Sequence, residues 1–157
     1  MPFLDPTKVD PQVYASLVIG FRVDKASATL PASVTQNLFT IAGGRILLLG
    51  ILGQVTTLIQ TQACNAKLIS TPTTGTAVDL CAVLDITADE VGCLYGITGT
   101  PATALVGANA GYAPFLATPA VVPIGVIGFN TSATNTGATK WTLYYLPLDE
   151  GAAAVSA

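Results

Sequence analysis

The chain has 157 residues, 51% of them hydrophobic and only 10% charged, with a formal net charge of -3 and no histidine. That length suits one domain with its own core, and the charged share lies well below the roughly 25% usual for soluble domains. Lys8, Arg22, Lys25, Arg45, Lys67 and Lys140 are scattered, a pattern that argues against nucleic acid as a partner, and so little charge suits a packed assembly better than a freely diffusing enzyme.

The longest dense apolar run, Ile46 to Leu52, is less than half the roughly 20 residues of a spanning helix, so no membrane partner is expected. Met1 to Tyr14 carries prolines and acids where a signal peptide has basic residues and an apolar core, and synthesis in the cytosol without export is expected. Cys64, Cys81 and Cys93 are odd in number and lack CxxC spacing. With no histidine beside them they read as three buried, reduced thiols, neither a disulfide scaffold nor a zinc site.

Residues 1–16 read as an extended N-terminal arm. Pro2, Pro6 and Pro11 break any helix or central strand there. Phe3, Leu4, Val9, Val13 and Tyr14 are apolar enough to dock, so the segment is either a frayed end or an arm lying on a neighbouring subunit. A single domain is expected over 17–149, and a flexible C-terminal tail over 150–157.

Within the domain, Ala15 to Val23 predicts a first strand, Asp24-Lys25 a turn, and Ser27 to Leu30 a short second strand. Asn37 to Ala42 alternates, Gly43-Gly44 suits a two-residue hairpin, and Arg45 to Thr57 predicts the returning strand. That return is apolar on both faces and needs cover on both. Gly50 and Gly53 inside it signal a bulge or a close backbone approach. Thr61 to Thr71 and Ala77 to Ile86 read as further strands, the latter with Val78, Leu80, Ala82 and Leu84 towards the core.

Thr87 and Glu90 have capping-box spacing, and Leu94 to Thr98 is a strand. Residues 100–119 read as a long ordered loop, Val121 to Asn130 as one strand, and Thr139 to Leu146 as the last, with Trp141, Leu143 and Tyr145 on one face. About eight strands and no long helix point to an all-β antiparallel sandwich, for which a jelly roll is the natural eight-stranded version.

Chemistry is sparse. A serine or cysteine nucleophile would need Lys, Asp or Glu as base, and neither GxSxG nor SxxK is present. Asp85, Asp89 and Glu90 form the densest acidic group, but their spacing fits no EF-hand loop and reads as a capped turn. Gly43-Gly44 has no GK[ST] after it, so no phosphate loop forms. Trp141 and Tyr145 share a strand face and read as core rather than as a sugar platform. No catalytic residue, cofactor or metal is expected.

The block FTIAGGRILLLGILGQVTT, continued by QTQACNAKLISTPTTGTAVDLCAVLDITADEVGCLYGITG and echoed by the closing KWTLYYLPLD, resembles small virion structural proteins of tailed bacteriophages, including capsid decoration (cement) proteins. The resemblance implies a non-catalytic, often trimeric β-sandwich made in the host cytoplasm and seated on the capsid surface, with copies of itself and the major capsid protein as partners. It places the binding on Phe3, Leu4, Val9, Val13 and Tyr14 of the arm and on Arg45, Leu47, Leu49 and Ile51 of the apolar strand. The alternative is a tail, head-fibre or baseplate module that binds a host surface glycan through Tyr112 and Phe115.

Overall fold

The computed structural model describes residues 19–107 and 111–157. Among them are eleven strands: β1 (Phe21–Thr29), β2 (Thr35–Ala42), β3 (Ile46–Thr57), β4 (Asn65–Pro72), β5 (Val78–Asp79), β6 (Leu84–Asp85), β7 (Leu94–Gly96), β8 (Ala120–Val122), β9 (Gly125–Thr131), β10 (Ala138–Pro147) and β11 (Ala153–Ser156). They form two sheets whose named pairs are all antiparallel. Sheet A runs β1-β10-β3-β7, with β8 also on β3; sheet B runs β11-β2-β9-β4-β5, with β6 also on β4. The expected all-β antiparallel sandwich is the fold.

The core lies between the sheets, where alternate residues of each strand turn inward. Sheet A contributes Ile46, Leu48, Ile51, Val55, Trp141 and Leu143, and sheet B contributes Phe39, Ile41, Leu68, Ile127 and Phe129, all buried. Trp141 spans the layers, its ring 4.9 Å from that of Phe129 in the other sheet and 6.3 Å from that of Tyr95. Its indole N–H donates to the Thr139 hydroxyl at 3.1 Å, so the largest core residue leaves no polar atom unpaired. Trp141, Leu143 and Tyr145 face the core together, as their alternation requires.

Several elements differ from the expected ones. Asp24-Lys25 makes no turn: Asp24 opposes Thr142 and Lys25 opposes Trp141 within β1, and the irregularity comes later, between Lys25 and Ala28. The hydroxyl of Thr142 donates to Asp24 at 2.7 Å, which keeps the acid in the strand. The Gly43-Gly44 corner closes no hairpin, because β2 belongs to sheet B and β3 to sheet A. Gly43 has φ of +74°, and a Cβ there would come within 2.1 Å of the Gly151 carbonyl oxygen. The glycine pair serves a tight passage between layers.

Val121 to Asn130 is likewise two strands in opposite sheets, split at Pro123-Ile124, where the missing proline N–H interrupts a ladder. Ala77 to Ile86 is reduced to the two-residue strands β5 and β6. Val78 is exposed there and Cys81 is buried, against the alternation read from the sequence, whereas Leu80 and Leu84 pack against the core as that alternation has them. The expected flexible tail over 150–157 instead contains β11, paired with β2 from Ala153↔Ala42 to Ser156↔Phe39, with Ala154 buried. Small side chains there carried no amphipathic signal, yet they fit where the sheet edge meets the core.

Candidate docking face

β3 is the axis of sheet A, with β10 along one side and β7 and β8 sharing the other. Leu48 opposes Tyr145 and Gly50 opposes Tyr144, so Leu49 is an extra residue in the ladder. This β-bulge shifts the alternation by one position. Ile46 and Leu48 point inward before it, and Ile51, Gly53 and Val55 after it. The set read as one face, Leu47, Leu49 and Ile51, is therefore divided. Ile51 is fully buried in the core, and Leu52 takes the outward place beside Leu47 and Leu49, all three half-buried.

Neighbouring strands extend this outer face in register. Leu146 opposes Leu47, Thr142 opposes Leu52 and Lys140 opposes Gln54; on the other flank Val121 opposes Leu47. Tyr144 stands beside Phe115, with ring centroids 5.0 Å apart. The half nearest β8 is thus built from Leu47, Leu49, Tyr144, Leu146 and Val121, and the half nearest β7 sets Leu52 among the polar residues Thr142, Gln54 and Lys140. Val121 is 55% exposed and Phe115 43% exposed, large values for side chains of this type.

Two glycines shape the cover that this face does receive. A Cβ at Gly50 would meet the Phe115 ring at 2.8 Å, and a Cβ at Gly96 would meet the Pro114 carbonyl oxygen at the same distance. The Leu116 N–H donates to the Leu49 carbonyl at 3.2 Å, satisfying a ladder group left open between β7 and β8. Ala113 to Leu116 therefore rests in a furrow cut by glycines. Tyr112, beside it, is 68% exposed. Gly20 reaches the same face, since a Cβ there would lie 2.9 Å from Leu49 Cδ1. Phe3, Leu4, Val9, Val13 and Tyr14 lie outside the described residues.

Arg45 sits at the end of this face and is pinned to Asp149. Its backbone N–H and Nε donate to Oδ2 at 2.7 and 2.9 Å, and Nη2 donates to Oδ1 at 2.7 Å. These bonds from Arg45 hold the Asp149 carboxyl well below the usual carboxylate range. The pair ties the β2–β3 corner to the β10–β11 corner, which also fixes where β11 starts.

The acidic group is dispersed by the fold. Asp85 is exposed and accepts from the Thr87 N–H at 3.0 Å and from the Thr87 hydroxyl, which lowers its pKa. Asp89 is buried and accepts from the Tyr95 hydroxyl at 2.5 Å; burial, then this bond, raises the Tyr95 pKa. Among the described residues no group of three His, Cys, Asp or Glu could hold a metal. The three cysteines are buried and unbridged, and burial pushes the Cys81 and Cys93 thiols up. No described helix is long and apolar enough to cross a membrane.

The chain matches no family model, and no curated protein or solved structure is similar to it at a significant level.

Proposed function

We propose that the chain is a non-catalytic virion protein of a tailed phage, a decoration (cement) protein that sits on the outside of the capsid and stabilises the shell. The observation that carries this reading is the apolar, uncharged half of the outer face of sheet A, from Leu47 and Leu49 across to Val121 and Phe115. Covering such a face desolvates few polar groups, and roughly 25 cal/mol accrues for each Å² of apolar surface removed from water. Many weak contacts of this kind, repeated over a shell, add up through multivalency.

Strand order supports the reading at the level of fold. If β5 and β6 count as one broken strand and β7 and β8 as another, the sheets read 1-8-3-6 and 2-7-4-5, with β11 added outside the second strand. We read this interleaving as a jelly roll, an architecture that recurs in viral capsid domains, though also in lectins and cupins. In this proposal the partners are two further copies of the chain, making a homotrimer, and the major capsid protein.

The test is light scattering on the purified protein, followed by co-sedimentation with bare shells and thermal melting of the decorated particle. A trimer that sediments with shells and raises their melting temperature is expected, with Leu47→Asp remaining folded but losing the shell. A monomer that stays in the supernatant would overturn the proposal.

A second reading rests on the exposed Tyr112 and on Phe115 set against Tyr144, an aromatic pad suited to a host surface glycan. It predicts selective binding on a glycan array that disappears in Tyr112→Ala; uniform signals across the array would count against it.

A further inference from the structure

Four connections from both sheets meet at one end of the sandwich and leave an open cleft of about 350 Å³ between them. Gly44 and Arg45 come from the β2–β3 corner, Thr73 and Thr74 from the segment after β4, Pro123 and Ile124 from the β8–β9 crossing, and Asp149 from the β10–β11 corner. The volume falls at the small end of ligand sites. We infer that this cleft is a binding site for a neutral, polyhydroxylated ligand of the size of one sugar ring, a site at the Arg45 end of the docking face that uses none of its apolar residues Leu47, Leu49 and Val121.

The argument is chemical. Arg45 and Asp149 are already paired at 2.7 Å, so the site offers no net charge. An anion such as phosphate meets the Asp149 carboxylate, and a cation meets the Arg45 guanidinium. A neutral polyol uses both partners at once. The fork leaves other guanidinium N–H groups of Arg45 without a partner among the described residues. Asp149 Oδ1 takes one hydrogen bond against two at Oδ2, which leaves it acceptor capacity. The guanidinium then donates to sugar oxygens while the carboxylate accepts from sugar hydroxyls. Pro123 and Ile124, the latter 40% exposed, supply an apolar surface for the C–H face of the ring, and Thr74 adds a hydroxyl.

The walls are set before any ligand arrives. The Thr73 N–H and hydroxyl both donate to the Ile124 carbonyl, at 2.9 and 3.3 Å, so two of the connections are clamped together. Gly44 allows the close approach of Asp149, since a Cβ there would lie 2.6 Å from the Asp149 Cβ. Pre-positioned walls reduce the ordering cost of binding, which matters most for a small polar ligand.

The test is ¹H–¹⁵N NMR on the full chain, titrated separately with glucose, galactose, N-acetylglucosamine and inorganic phosphate. Saturable shifts clustered at Gly44, Arg45, Thr73, Thr74 and Ile124 are expected with at least one neutral sugar and not with phosphate. Thr74→Trp, which fills the cleft from an exposed position, is expected to weaken binding about tenfold or more with an unchanged melting temperature. Ile124→Asp replaces it if that variant does not fold. Leu47→Asp is expected to bind the sugar as the wild type does. Absence of saturable shifts with every sugar, shifts that persist in the occluded variant, or phosphate binding at the same amides would each overturn the inference.

Discussion

Tyr95 and Asp89 show how a polar pair survives inside an apolar sandwich. The Tyr95 ring stacks near Trp141, and its hydroxyl reaches the buried Asp89. Tyr95→Phe keeps the ring but removes a donor from a carboxylate held out of water, which costs about 1–3 kcal/mol. Chemical denaturation should show that loss, with the native sheet signal retained. Arg45 and Asp149 act at the surface instead, and their contribution depends on pH. The folded pKa of Asp149 lies below its unfolded value, so the stabilisation is fully present above about pH 4 and drains away as pH falls through the lowered value. Asp149→Asn should therefore melt below the wild type at neutral pH, and the difference should shrink in melts below about pH 4. Arg45 and Asp149 stand 104 positions apart, so no reading of local sequence pairs them.

At the scale of elements, β3 carries the most information. Gly50 and Gly53 were legible as signs of a bulge or a close approach, and both serve in that way: the ladder is irregular beside Gly50, and Trp141 lies where a Gly53 Cβ would be, 2.7 Å from the ring. Gly53→Ala should overpack the core by about 1–3 kcal/mol and lower the melting temperature by about 2–4 °C for each kcal/mol lost. What the glycines did not reveal was the phase change: two-residue alternation places Ile51 with Leu47, and one extra residue reverses it. β11 lies at the other extreme. Two alanines, a valine and a serine are too short a run to show periodicity, and only the open edge of β2 makes that stretch a strand. Deleting residues 153–157 should expose the β2 edge, an open template for strand pairing, and produce concentration-dependent association by light scattering.

For the whole molecule, surface chemistry and internal packing make separable demands. Leu48 faces the core and Leu47 faces out, so Leu48→Asp should unfold the domain while Leu47→Asp leaves it folded, as read by circular dichroism. The sequence by itself determined the all-β class, the two-sided apolar character of β3, the burial of Trp141, Leu143 and Tyr145, and the absence of a recognised catalytic motif. Those follow from composition, from side-chain alternation and from turn residues, which act over a few positions. Only the tertiary structure decided which sheet each strand enters, that Gly43-Gly44 and Pro123-Ile124 are passages between layers, that Leu52 replaces Ile51 on the outer face, and that four distant connections frame a cleft. Each of those depends on pairings between residues far apart in the chain, where the choice of partner strand is set by how both sheets bury their inner faces together.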